Sequence, residues 1–335
     1  MHGESIHLRR EAGIEMIIAI DSTRRGPALG GCRWRAYRDA AEARREASAL
    51  AASMTRKAAL ARLALGGGKA VVLGDPSCRT REQLLAFGDF VASLDGRYVT
   101  AADMGTGAEQ MAVIAERTPH VVGLPLEQGG CGDPSPFTAW GVSMAMQAAL
   151  RHAGETLSGL RVAVQGVGHV GGELVRLCLR EGAKLAAADS DARALDSLPP
   201  EVERIDPRAI LELECDVLAP CGPPAVITTS LVERLRCRVI CGAANNPLEN
   251  AAVARLLDAR GVLFVPDYVA NAGGLIHLAV AREGRGPDAV RDSLRVIPEN
   301  VDAVLELAKL ERIDPARAGE RLAAAAVGED LPDLG

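Results

Sequence analysis

RVAVQGVGHVGGELVRLCLREGAKLAAADS, residues 161–190, decides the fold of this chain. A short apolar run, Arg161–Gln165, enters the turn Gly166-Val167-Gly168-His169-Val170-Gly171, and a helical stretch over Val170–Glu181 follows. A second apolar run, Lys184–Ala188, ends at Asp189, 23 residues beyond Gly166. Strand, G-x-G-x-x-G turn, helix and strand stand here in the order that gives the glycines meaning. Gly166 makes the turn, Gly168 lets backbone approach a pyrophosphate, and Gly171 allows helix and strand to pack closely. The helix start, with His169 and Val170 between the glycines, offers N–H groups to phosphate. Asp189 is placed to accept hydrogen bonds from a ribose 2′-hydroxyl and to repel a 2′-phosphate, so NAD is expected over NADP. Asp189 could instead cap a helix, as could Ser190 and Asp191, and Arg193 could receive a 2′-phosphate.

Outward from this unit, short apolar runs at Asp216–Ala219, Arg238–Cys241 and Val262–Val265 alternate with helical stretches such as Asn250–Arg260. That alternation predicts a parallel sheet wound on both faces. Upstream, Ile14–Ile20, Val71–Leu73 and Tyr98–Ala101 read as strands, and Ala40–Ala61, Glu82–Leu94 and Ala108–Arg117 as helices. The breaker cluster GGCGDPSP, residues 129–136, precedes a helix over Thr138–Ala153 and marks a domain boundary. After Asn271–Gly274 the chain reads as mostly helical. The expected fold class is α/β, with two domains around a cleft. The second is a Rossmann-type doubly wound parallel sheet, and the first is a mixed α/β domain.

A chain of 335 residues that is 48% hydrophobic can bury two cores. The formal charge of −6 leaves no basic surplus for phosphate backbones, so nucleic acid is not an expected partner. No apolar run approaches bilayer length, and MHGESIHLRREAG lacks the apolar centre of a signal peptide, so no membrane role is expected. Eight cysteines contain no C-x-x-C pair and match no usual zinc spacing. They are expected to be free, mostly buried thiols in a reducing cytoplasm, with no metal bound.

The chemistry sits in the first half. In MTRKAALARLALGGGKAVVLGD (54–75), Lys57 precedes Lys69 by twelve residues, and Gly66-Gly67-Gly68 forms an expected turn against the second lysine. Three glycines mark close approach of another group, and a lysine partly desolvated there becomes a usable base. Asp103, in RYVTAADMGT (97–106), can exchange protons, and Asn271, in PDYVANAGGL (266–275), offers a donor and an acceptor.

Seven ordered segments carry a family resemblance: GPALGGCRW (26–34), MTRK…LGGGKAVVLGDP (54–76), GRYVTAADMGT (96–106), DPSPFTAWGV (133–142), VQGVGHVG (164–171), CGAANNPL (241–248) and PDYVANAGG (266–274). The chain resembles the glutamate/leucine/phenylalanine/valine dehydrogenases, most closely the leucine, valine and phenylalanine branch. The resemblance implies NAD-dependent, reversible oxidative deamination of an L-amino acid to a 2-oxo acid and ammonium, completed when two domains close and exclude water. It implies that Lys57 pairs with the substrate carboxylate, Lys69 is the general base, Asp103 assists proton transfer and Asn271 orients the amino or carboxylate group. Gly30 and Gly31 would let the substrate backbone approach. Thr138, Asn245 and Asn246 would lie near the nicotinamide and its ribose. Residues 1–135, with C-terminal helices of about 300–335, would form the substrate and oligomerisation domain of a homo-oligomer, and residues 136–299 the NAD domain.

In the glutamate-specific branch the position matching Leu29 carries a lysine for the side-chain carboxylate. Leu29, with Met54, Ala101, Leu275 and Leu278, instead makes an apolar wall suited to branched-chain or aromatic side chains. His169 and His277 are expected to pack or support, because the lysines already supply the base. The other readings are a specialised phenylalanine or tryptophan dehydrogenase of a biosynthetic pathway, and a non-catalytic NAD-binding regulator. Loss of Lys57, Lys69 or Asp103 would mark the regulator, and all three are present.

Overall fold

In the computed structural model, which describes residues 4–328, packing divides the chain into two units. The first comprises the described chain up to Pro134, His277–Val290 and the chain from Ala323; the second comprises Ser135–Ile276 and Arg291–Leu322.

The first unit is built on β1 (Ser5–Glu11), β2 (Ile14–Ser22), β3 (Ala28–Arg35), α1 (Ala40–Leu60), β4 (Gly66–Leu73), α2 (Arg81–Ala92), β5 (Tyr98–Ala102) and α3 (Ala108–Ala115). The sheet order is β1-β2-β4-β3-β5, with β3 parallel to β4 and β5 and the other pairs antiparallel. Strand alternation splits its side chains between two layers. Ala28, Cys32, Trp34, Ala70, Val72 and Tyr98 join the core with α2 and α3 residues, while Ile17, Ala19 and Val71 pack under Ala43, Ala47 and Ala51 of α1. Asp39 starts α1 by accepting the Glu42 N–H, and a Thr80–Gln83 capping box starts α2.

Gly66–Gly68 are strand residues of β4, not the turn expected from sequence. The close approach that three glycines imply is nevertheless present. A Cβ on Gly67 would lie 2.1 Å from Thr55 N and 2.4 Å from Ala51 O, and one on Gly68 would lie 2.8 Å from the Tyr98 ring. Bare backbone lets α1 and Tyr98 close on the two faces of one strand. β1 and β3 also went unread as strands, because glycines and arginines interrupt their apolar pattern.

The second unit runs α4 (Ser135–Arg151), β6 (Arg161–Gln165), α5 (His169–Arg180), β7 (Lys184–Ala188), α6 (Ala192–Asp196), β8 (Glu203–Arg204), β9 (Val217–Pro220), α7 (Thr229–Val232), β10 (Val239–Ile240), α8 (Ala251–Ala259), β11 (Leu263–Phe264) and α9 (Asp267–Ala270). All six strands are parallel, in the order β11-β10-β9-β6-β7-β8. Numbered within this unit, that is 3-2-1-4-5-6 read from β8, the order of a dinucleotide-binding sheet whose winding reverses between β6 and β9. The fold is thus α/β, with a mixed sheet in one unit and a doubly wound parallel sheet in the other.

The helices α10 (Gly273–Arg282), α11 (Pro287–Leu294), α12 (Val296–Glu311) and α13 (Pro315–Val327) complete the chain. Of the segment about 300–335 expected in the first domain, the chain from Ala323 groups with the first unit, while α12 packs on α4 of the second. His277–Val290, expected in the second domain, groups with the first. Gly141 of α4 makes room for α12: a Cβ there would meet Ile297 Cδ1 at 2.6 Å. Among the described residues, no helix is long and apolar enough to cross a membrane, and no cluster of three His, Cys, Asp or Glu residues is placed to hold a metal. Five of the eight free cysteines are buried; Cys78 is exposed.

Candidate active site

The first unit collects its site residues on the face of the sheet covered by α1. Alternation places Leu29, Gly31 and Arg33 of β3 on that face, with Gly67 and Lys69 of β4. Val99 and Ala101 of β5 follow, and Asp103 extends the same row. Lys69 is only 6% exposed and its Nζ meets Asp103 Oδ2. Arg33 Nε meets the same oxygen at 3.1 Å, and Arg33 Nη1 reaches Glu46 Oε1 of α1 at 2.6 Å. Burial pushes the Asp103 carboxyl up, but the Lys69 ammonium and the Arg33 guanidinium outweigh it and hold it well below the usual carboxylate range. The backbone around Asp103 is also fixed, because its N–H donates to Thr106 Oγ1 and that hydroxyl donates to Cys32 O.

Lys57 is buried in the last turn of α1, 8% exposed, and Met54 is half-buried one turn earlier. Leu29 and Ala101 are buried. Leu278, on the part of α10 belonging to this unit, is buried and lies near Gly123. Gly30 and Gly31 are pressed by the protein itself: a Cβ on Gly30 would lie 1.6 Å from Gly68 O, and one on Gly31 would lie 2.7 Å from Asp103 Cβ. Their bareness therefore serves the seating of β4 and of Asp103.

In the second unit the three motif glycines differ in what holds them bare. Gly166 has φ +89°. A Cβ on Gly171 would lie 1.9 Å from Gly166 O. A Cβ on Gly168 would meet nothing within 4 Å, so no protein atom requires a glycine there. No side chain caps α5 at Gly168. Asp189 accepts the Val167 N–H at 2.7 Å and the Asp191 N–H at 2.9 Å. Asp191, not Asp189, caps α6, and Arg193 is engaged by Asp191 through Nε and Nη2 at 3.0 and 2.9 Å. His169 is exposed and Val170 half-buried.

Asn271, 6% exposed, donates through Nδ2 to Ala243 O and to Asn245 Oδ1, both at 3.0 Å. A carbonyl can only accept, so this pins the amide orientation and leaves Oδ1 as the acceptor. That Oδ1 is buried and has no partner among the described residues. Asn246, at φ +49°, donates its N–H to Asp267 Oδ2 at 2.9 Å. Thr138 lies at the start of α4 under Gly273, and Leu275 is buried on α10. His277 Nε2 meets Cys131 O at 3.0 Å.

Arg33 and Glu46 were not singled out from sequence. Reading GPALGGCRW as a strand would have found the arginine, since it follows Leu29 and Gly31 at a spacing of two.

Residues 4–120 match the family described as "Glu/Leu/Phe/Val dehydrogenase, dimerisation domain", and residues 129–196 and 185–283 match "Glutamate/Leucine/Phenylalanine/Valine dehydrogenase". A leucine dehydrogenase from Thermoactinomyces intermedius is 41% identical over 319 residues, 94% of this chain and 87% of the relative. A valine dehydrogenase from Streptomyces albus is 41% identical over 322 residues, 94% of this chain and 88% of the relative. The crystal structure of L-tryptophan dehydrogenase from Nostoc punctiforme superposes with a TM-score of 0.83 at 32% identity, covering 97% of this chain and 96% of that one.

Proposed function

The chain belongs to the Glu/Leu/Phe/Val dehydrogenase family, and from that premise we propose that NAD is its cofactor and that its substrate is an L-amino acid with an apolar side chain. It is an oxidoreductase of the amino acid dehydrogenase class, which works with a nicotinamide cofactor and deaminates an amino acid oxidatively. The products are the 2-oxo acid and ammonium, and the reaction is reversible.

The residues of the second unit fit a dinucleotide. Gly168 leaves backbone open where a pyrophosphate would approach, and the uncapped start of α5 suits its charge. Asp189 keeps lone pairs for a ribose hydroxyl after accepting two N–H groups, and Arg193 is already committed to Asp191. Both features favour NAD over NADP. When bound, NAD supplies the acceptor for the hydride from the substrate Cα.

Lys57 pairs with the substrate carboxylate. Lys69, in its neutral form, takes a proton from the water that adds to the imino carbon, and the ionised Asp103 carboxylate assists that proton transfer. Asn271 Oδ1, an acceptor without a partner among the described residues, suits the substrate amino group better than its carboxylate. Leu29 and Ala101 give the side-chain pocket no charge, which favours leucine, valine, isoleucine or phenylalanine over glutamate. The family's dimerisation domain makes a homo-oligomer part of the proposal.

The observation that carries this reading is the Lys69–Asp103 pair, an acid–base couple with its lysine buried on the glycine-rich β4 and its carboxylate half-buried just past β5. The test is reduction of NAD, and separately of NADP, at alkaline pH with a panel of single L-amino acids. Turnover on an aliphatic or aromatic member, with glutamate silent, is expected. Silence across the panel with NAD still bound would overturn it. The similarity to tryptophan dehydrogenase supports a second reading, an enzyme specialised for aromatic substrates, so phenylalanine and tryptophan belong in the panel.

A further inference from the structure

Arg33 and Glu46 stand behind the Lys69–Asp103 pair and have no part in the chemistry just described. Lys69 and Arg33 both meet Oδ2 of Asp103, so one carboxylate oxygen is shared by two cations. The row then continues to Glu46 and Arg35, giving the alternation Lys69, Asp103, Arg33, Glu46, Arg35. Side-chain exposure falls between 8% and 22% for the first four, so solvent screens them weakly.

A lysine and an aspartate alone in a poorly solvated site can relax to a neutral pair, the ammonium proton passing to the carboxylate. A proton held on the carboxylate removes the negative charge that Asp103 brings to the transfer. A guanidinium is permanently charged and cannot take part in that exchange. Held on the same oxygen, it keeps the carboxylate ionised whatever the lysine does. Glu46 pulls the other way, offsetting part of the arginine charge and fixing where its fork points.

We propose that Arg33 is a positioning residue that sets the charge state of the Lys69–Asp103 pair, with Glu46 as its counter-anion. This rests on the amino acid dehydrogenase reading of the same site. Of the other charged groups, Arg44, Arg45 and Arg56 of α1 are exposed, and Asp21 of β2 accepts the Thr55 hydroxyl. Glu42 and Arg35 pair with each other, and Tyr37 lies under Arg35 with its phenol pushed up to about 12, chiefly by burial. Cys32 and Tyr98 are held neutral by burial on the opposite face, and Lys57 lies at the end of α1.

The test is the pH profile of kcat/KM for wild type, Arg33→Gln, Arg33→Lys and Glu46→Gln with the best amino acid of the panel. Alongside it runs trace acetylation of Lys69 by acetic anhydride at each pH, read by mass spectrometry. Removing a neighbouring cation favours the protonated form of the pair, and removing a neighbouring anion favours its deprotonated form. Arg33→Gln should move the acid limb up by about one pH unit, and Glu46→Gln should move it down by about half that. Arg33→Lys should recover most of the displacement, and the acetylation profile should move with the limb. A uniform loss of rate with unmoved limbs, or limbs moving the same way in both charge-removing variants, would overturn the proposal. If Arg33→Gln does not fold, the direction of Glu46→Gln decides. If the wild type turns over nothing but the acetylation profiles still shift, the dehydrogenase reading fails and the charge coupling stands. If acetylation is unmoved, the coupling itself is wrong.

Discussion

The two units solve opposite problems. The first holds weakly solvated charge: Lys69, Arg33 and Asp103 on one sheet face and Glu46 of the covering α1, fixed by side-chain ion pairs, with Lys57 buried at the end of that helix. The second holds almost none at its glycine turn, where bare backbone, a helix start and one carboxylate do the work. Glycines occur at both, yet for different causes. In the first unit they admit the protein's own backbone, as at Gly67 against Thr55; in the second, Gly168 admits nothing of the protein at all. A charge-site unit should therefore answer to changes in charge, and a backbone-site unit to added atoms.

The largest effect belongs to Lys69→Ala. Turnover should fall by about 10²–10⁴-fold, the usual loss for a general base, while NAD affinity measured by fluorescence titration stays near wild type. A variant with near-normal kcat would remove the lysine from the chemistry. One that lost NAD binding as well would break the division of labour between the two units.

The glycines sharpen the same contrast. Gly67→Ala forces a methyl onto Thr55 N and should cost about 1–3 kcal/mol or more of stability. Gly168→Ala meets open space and should leave Tm unchanged, yet weaken NAD by about tenfold, roughly 1.4 kcal/mol. Thermal melts beside cofactor titrations separate the two. If Gly168→Ala binds NAD normally, a pyrophosphate does not approach that backbone.

Asp103→Asn tests the ionic half by pH. The carboxyl is depressed in the fold, so its ionisation contributes stability that is fully present above the unfolded value of about 3.9. That contribution is lost as pH falls below it. Wild type should exceed the variant by about 1–3 kcal/mol at neutral pH, since the change leaves two cations without their shared anion. The gap, read from urea midpoints, should narrow below about pH 4. A gap independent of pH would mean that packing, not charge, is what Asp103 supplies.

The same contrast explains what could be read from sequence. The second unit is a local motif: strand, glycine turn, helix and strand lie within thirty residues, and Gly166 and Gly171 each have one conformational or steric reason. Asp189 was accessible for that cause, at the end of a strand whose neighbour was already placed. The first unit is assembled from afar. Lys69, Arg33, Glu46 and Asp103 come from β4, β3, α1 and the end of β5, and only strand register joins them. Glycines in β3 and β4 erase the apolar alternation that would announce those strands. Gly66–Gly68 thus read as a turn, and Arg33 lost the neighbours that would have marked its face. Family resemblance reached Lys57, Lys69 and Asp103; the ion pairs behind them needed the sheet.

The smallest expected effect is the most specific. Leu29 is buried on β3, beside Gly67 and Val99, on the face that carries Lys69 and Asp103. A lysine there would add a cation to a face with three already, and Asp103 and Glu46 are both committed. Only a substrate bringing its own side-chain carboxylate would offset it. Leu29→Lys should therefore lower kcat/KM for apolar amino acids more than it raises that for glutamate. The glutamate-to-leucine ratio should rise by about tenfold, roughly 1.4 kcal/mol, while absolute glutamate activity remains low. An added charge can redirect the first unit because that unit already works by charge balance. A folded variant with an unchanged ratio would show that Leu29 packs in the core and that the pocket wall lies elsewhere on the sheet.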